Sequence, residues 1–135
     1  TKAMLKTMPE GKIINVSSMA AFLPTPKFTA YAASKAYVYN YSVATNYELK
    51  RNNIQTKILT VCPGPVGTEF GKVAGVKQAL KGMPVEKCVK IILKDIDKNK
   101  SVIIPGFSMK FLRFLLRILP LKLTLWAAYK IQNRK

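Results

Sequence analysis

Tyr31 and Lys35 stand four residues apart in a segment free of proline and glycine. On a helix that spacing puts both side chains on one face, with Cβ atoms about 5–6 Å apart. A tyrosine hydroxyl titrates near pH 10, too high for ready proton exchange at neutral pH. An ammonium group beside it stabilises the phenolate and lowers that value, which makes tyrosine a usable general acid or base. The spacing alone is not diagnostic: Tyr47 and Arg51 repeat it in the same segment and read equally well as a surface cation–aromatic contact. Composition removes other chemistries. The chain has no histidine, so histidine bases, triads and metal ligands are excluded. Its six carboxylates (Glu10, Glu48, Glu69, Glu86, Asp95, Asp97) are too dispersed for an oxygen-ligand metal cage. Ser34 and Lys35 are adjacent, so on a helix they do not face each other and make a poor serine–lysine nucleophile.

The flanking residues predict the elements that must hold this pair. Lys12–Ser17 is a β-branched run that reads as a buried strand, and a loop with Pro24 and Pro26 follows. Thr29–Arg51 predicts one long amphipathic helix ended by Asn52-Asn53. Thr56–Cys62 is a second buried strand, stopped by Pro63-Gly64-Pro65. Strand, long helix, strand at this spacing predicts a βαβ unit with parallel strands and a right-handed crossover. Neighbouring strands of a parallel sheet open their carboxyl ends onto one crevice. Ser17-Ser18, the Pro63–Thr68 loop and the first helical turn should therefore converge there. Beyond a glycine-spotted loop from Gly64 to Gly82, Pro84 sits in the first turn of a helix that runs to about Asp97. Val85, Cys88, Val89, Ile92 and Ile96 form its apolar face, and Lys87, Lys90, Lys94 and Lys98 a solvated one. Ser101–Ile104 is a third short strand.

Three motifs now stand in order: Asn-Val-Ser17-Ser18 with Ser18 thirteen residues before Tyr31, Tyr31-Ala-Ala-Ser-Lys35, and Pro63-Gly64-x-Val66-x-Thr68. With them, residues 11–70 resemble the short-chain dehydrogenase/reductase family. The resemblance implies an α/β fold with a Rossmann-like, doubly wound parallel sheet. It implies an oxidoreductase that interconverts a carbonyl and an alcohol by hydride transfer with NADP or NAD. Tyr31 would be the general acid or base, and Lys35 would tune it and hydrogen-bond the nicotinamide ribose. Ser18 would orient the substrate oxygen, with Ser17 the less well spaced alternative. Pro63, Gly64, Val66 and Thr68, with Tyr31 and Lys35, would hold the nicotinamide end of the cofactor. Asn15 reads as a strand-end structural residue. The substrate would be a small carbonyl or alcohol, and the 29–51 helix would make a homodimer or tetramer. The family's Gly-x-x-x-Gly-x-Gly turn and Asn-Ala-Gly segment do not occur here. Residues 1–106 are accordingly expected to be the carboxyl-terminal half of the domain, with the amino-terminal half missing from this chain and the chain inactive alone. The choice between NAD and NADP is read after the second strand of a Rossmann sheet and stays open.

Charge is uneven. Residues 1–71 carry 8 basic and 3 acidic side chains, a net of +5, whereas residues 72–135 carry 15 and 3, a net of +12. That asymmetry points to an anionic partner or to compensating acids elsewhere in a longer protein. Dispersed basic residues without interleaved exposed aromatics argue against nucleic acid. Residues 107–135 form a distinct tail in which Lys110, Arg113 and Arg117 share a helical face beside apolar residues, and Pro120 breaks the segment. After Ile-Pro-Gly-Phe, this leucine-rich tail is also similar to family members that handle lipophilic substrates. No charge-free run approaches the roughly 18 residues needed to cross a bilayer. The tail is read as an amphipathic cover for the substrate pocket. Peripheral membrane contact is the alternative, and in its extreme form the chain would be a non-enzymatic basic membrane-surface protein. Cys62 and Cys88 form no CxxC pattern and are read as reduced thiols of a cytoplasmic protein.

Overall fold

The computed structural model describes residues 1–7, 10–73 and 82–133. Three parallel strands, β1 (Lys12–Val16), β2 (Lys57–Val61) and β3 (Val102–Ile103), lie in the order β1-β2-β3. Ile13 stands opposite Ile58 and Val16 opposite Val61. Side chains of successive strand residues point to opposite faces, so Ile58 and Leu59 enter different layers. On one face the long helix α2 (Thr29–Arg51) brings Leu49 onto Ile13 and Ile58, with Leu5 of the short helix α1 (Lys2–Thr7) packed against them. On the other, α4 (Val85–Asp97) sets Ile92 and Ile96 on Leu59, Val61 and Ile103. Helices on both faces of a parallel sheet make the doubly wound α/β arrangement that the sequence predicts. A third cluster, Met19, Cys62 and Ile104, gathers Phe22, Tyr39, Met109 and Leu112 beyond the strand ends.

Several expectations are corrected. β1 is not a buried strand: Ile14 and Val16 are 44% and 58% exposed. They lie beside Leu59 and Val61 in the register, but α4 packs over β2 and β3 and leaves this strip uncovered among the described residues. Nor is α2 amphipathic. Its buried positions are Ala32, Ser42 and Leu49, while Tyr37, Tyr41 and Tyr47 face solvent. Ser42 is tolerated inside because it accepts a hydrogen bond from Asn15 Nδ2 at 2.8 Å and donates to the Val38 carbonyl at 2.6 Å. Asn15 thus has the structural role expected of it. Pro84 precedes α4 at its N-cap, where it lacks only a hydrogen that no helical carbonyl needs. Val85 and Val89 of the predicted apolar face are exposed.

The sequence also left some pieces unmarked: α1, a 3₁₀ turn at Met19–Phe22, and α3 (Phe70–Val73) within the predicted loop. The part of that loop at 74–81 lies outside the described residues. The tail forms α5 (Phe107–Ile118) and α6 (Leu121–Gln132), parted at Pro120. Lys110, Arg113 and Arg117 do not act as one exposed stripe, because Arg113 turns inward. Its Nη2 donates to Tyr39 Oη at 2.9 Å and its guanidinium sits 4.7 Å from the Phe22 ring centre. Among the described residues, no helix is long and apolar enough to cross a membrane.

Candidate active site

The carboxyl end of β1 runs directly into the 3₁₀ turn. Ser18 caps that turn, its Oγ accepting from the Ala20 N–H at 3.1 Å. This fixes the side chain while leaving the hydroxyl proton to donate elsewhere. Ser17, the alternative, is buried and its Oγ donates to the Lys35 carbonyl at 2.7 Å. Its work is to tie β1 to α2. Tyr31 and Lys35 occupy the first two turns of α2, as their spacing requires. Lys35 Nζ lies 5.8 Å from the Tyr31 ring centre and donates to the Val16 carbonyl at 3.2 Å. One of three ammonium donors is thus spent on the strand end, and the same bond aims the others.

The Pro63–Thr68 loop leaves β2 beside this turn, and the Met19 N–H donates to the Pro63 carbonyl at 2.9 Å. Its far end returns to the tyrosine through Phe70. The Thr68 Oγ1 accepts from the Phe70 N–H at 3.4 Å, and the Phe70 ring lies 5.5 Å from that of Tyr31. Phe28 flanks the tyrosine at 5.0 Å on its own side of the sequence. The links thus run from Lys35 to the end of β1, from Met19 to Pro63, and from Thr68 through Phe70 to Tyr31, while Ser18 Oγ bonds only within its own turn. Phe28, Phe70 and the Val16 carbonyl were missed. Only the adjacency of Phe70 to Thr68 and of Phe28 to Tyr31 could have hinted at them.

A cavity of about 260 Å³ borders the same loop, with Gly64, Pro65, Val66, Met83, Ser108 and Met109 among its walls. Ser18, Tyr31 and Lys35 do not line it. A Cβ at Gly64 would lie 2.4 Å from Met109 Sδ, so the methionine side chain would have to shift to admit one. The loop is braced by Met83, whose N–H donates to the Pro65 carbonyl and whose carbonyl accepts from Gly67, both at 2.9 Å. Cys62, at the root of the loop, is buried and unpaired. Burial pushes its thiol up to about 11, against smaller downward pulls from Ser17 and Arg113. Cys88 is likewise unpaired, and burial raises it too. Among the described residues no group of three potential metal ligands comes together.

Comparison with known proteins gives the family. The short chain dehydrogenase family model matches residues 1–79. The chain is 41% identical over 75 residues to mouse (Mus musculus) 17-beta-hydroxysteroid dehydrogenase type 3, covering 53% of this chain and 24% of that protein. It is 38% identical over 85 residues to a short-chain type dehydrogenase/reductase of Picea abies, covering 60% and 31%. Among solved structures it is similar to a short chain dehydrogenase from Burkholderia cenocepacia in complex with NADP. The TM-score is 0.70 at 24% identity, over 86% of this chain and 46% of that one. A short-chain dehydrogenase from Sphingobium yanoikuyae in complex with NADPH superposes with TM-score 0.68 at 25% identity, over 87% and 48%. This chain thus spans a quarter to a third of those two relatives and just under half of those two solved chains. With the family model matched over residues 1–79, more than half of this chain, the chain belongs to the short-chain dehydrogenase family.

Proposed function

We propose that this chain is the catalytic half of an NAD(P)-dependent oxidoreductase that interconverts a carbonyl and an alcohol. One observation carries the reading: Lys35 Nζ lies 5.8 Å from the Tyr31 ring on the helix that faces the Ser18 turn and the Pro63–Thr68 loop. In the reducing direction Tyr31 Oη gives its proton to the carbonyl oxygen, and the Lys35 ammonium stabilises the phenolate left behind. Ser18 donates to the same oxygen and orients it. In the oxidising direction the phenolate takes the alcohol proton instead. Family membership favours this enzyme over a non-enzymatic membrane-surface protein.

The donor set suits the nicotinamide end of a dinucleotide. Tyr31 and Lys35 present a hydroxyl and a charged donor to ribose hydroxyls, and Thr68 offers a hydroxyl to a carboxamide. Pro63, Gly64 and Val66 form the backbone wall. A bound NADP or NAD supplies or accepts the hydride. The names of the solved relatives support this cofactor class, since they are complexes with NADP and NADPH. The pyrophosphate and adenine would be held by the half of the domain outside this chain. Ser108 and Met109 wall the cavity beside the loop, and on this reading α5 would cover a small, lipophilic substrate. The free thiols fit a cytoplasmic protein.

The test is Tyr31→Phe in the complete enzyme. General acid–base help contributes about 10²–10⁴-fold, so turnover should fall by that order with cofactor affinity nearly unchanged. A variant that keeps most of its rate removes Tyr31 from the mechanism.

A further inference from the structure

α5 has two apolar sides. Its inner side sets Met109 and Leu112 into the cluster around Met19, Cys62 and Ile104. Its outer side carries Phe107, Phe111, Phe114 and Ile118 at intervals of four, three and four, one face of a helix. All four are exposed, Phe107 at 84% and Ile118 at 63%. Leu119 and Leu121 at the joint, and Leu123, Trp126 and Tyr129 on α6, are exposed as well. Exposed apolar side chains in this number call for an occupant.

Charge selects the occupant. Asp97 is the last carboxylate of the chain, and residues 107–135 hold seven basic side chains and no acid. A second copy seated on this face would set like charges against each other with no carboxylate to answer them. An acidic surface with an apolar layer beneath it answers both features. Lys110 and Arg117 are exposed and flank the phenylalanine stripe, and Lys130 Nζ sits 5.0 Å from the Trp126 ring centre. Aromatic bodies with cationic tips suit the headgroup level of a bilayer. We propose that the outer face of α5 and α6 is a docking surface for an anionic lipid bilayer, lying in the interface without crossing it. The inner face remains free to cover the cavity, so the two roles of the tail belong to opposite sides of one helix. No residue of the active site is used.

Co-sedimentation of the full chain with phosphatidylcholine vesicles, and with vesicles that also contain phosphatidylserine, tests this at low and high salt. Trp126 is the sole tryptophan, so its emission reports on the face directly. Expected are preferential binding to the phosphatidylserine vesicles, loss of binding at high salt, and a blue shift of Trp126 on binding. Lys110→Gln with Arg117→Gln should weaken binding by roughly tenfold or more, and Phe111→Ser with Phe114→Ser should abolish it. If the phenylalanine pair fails to fold by circular dichroism, the charge pair carries the test. Equal affinity for both vesicle types, no binding, or binding with unmoved Trp126 emission overturns the proposal. So does lipid-free assembly that the phenylalanine variants abolish, which would give the face to another protein surface.

Discussion

Gly64 belongs to the Pro-Gly motif, yet its nearest neighbour is Met109 of α5, 2.4 Å from where a Cβ would stand. The glycine lets a helix from the tail lie against the loop that borders the proposed active site. Gly64→Ala should cost about 1 kcal/mol or less, because the flexible Met109 side chain can shift, and in a Met109→Ala background that cost should vanish. Urea midpoints of the two single variants and the double variant measure it. Additive losses would mean that the contact does not limit the site. Cys62 gives a second expectation. Its thiol ionises at about 11 in the fold against 9.0 for an exposed thiol, because burial disfavours the thiolate. A raised folded value leaves stability intact below pH 9 and removes it as pH rises from 9 towards 11. Wild type should therefore lose stability relative to Cys62→Ala across that window, with a constant difference below it. A constant difference up to pH 11 would show that the thiolate is solvated.

On the proposed reading α2 carries the chemistry at its first two turns, and it has exposed aromatic residues further along. Tyr37 and Tyr41 stack at 6.0 Å between ring centres, and both are exposed, as is Tyr47. Such a patch on the side away from the sheet supports a two-fold contact in which the same surface meets itself. Light scattering of the complete enzyme should report a dimer or tetramer at micromolar concentration. Tyr37→Arg with Tyr41→Arg should yield monomers, because two copies of the charged patch repel. A monomeric wild type would remove α2 from any interface.

Over the whole chain, the open feature is the sheet. Ile14 and Val16 lie bare on the face whose neighbouring strips α4 covers, and no Gly-x-x-x-Gly-x-Gly turn occurs anywhere in the 135 residues. On the proposed reading, Lys35, Tyr31 and the Pro63–Thr68 loop would hold one end of a dinucleotide only. Titrating the isolated chain with NADPH, followed by nicotinamide fluorescence, should show no saturable micromolar binding and no turnover. Saturation would mean that this half of the site suffices.

Much of this was written in local pattern. Thr29–Arg51 has neither proline nor glycine, so its helix spans the predicted residues, and the β-branched runs at Lys12 and Lys57 each make a strand because their side chains fit a pleated surface. Four-residue spacing settled that Tyr31 and Lys35 share a face, since helical geometry is a property of the chain alone. Burial was another matter. Whether Ile14 is covered depends on where α4, some seventy residues later, comes to rest, and no pattern within KIINV encodes that. Ser17 and Ser18 are chemically identical neighbours. Spacing favoured Ser18, and the fold shows Ser17 spent on the Lys35 carbonyl while Ser18 caps the turn that follows β1. Arg113 looked like one of three surface cations until Tyr39 and Phe22, from distant segments, drew it inward. Local periodicity fixes which residues share a face, but only contacts between segments far apart in sequence decide which face is covered.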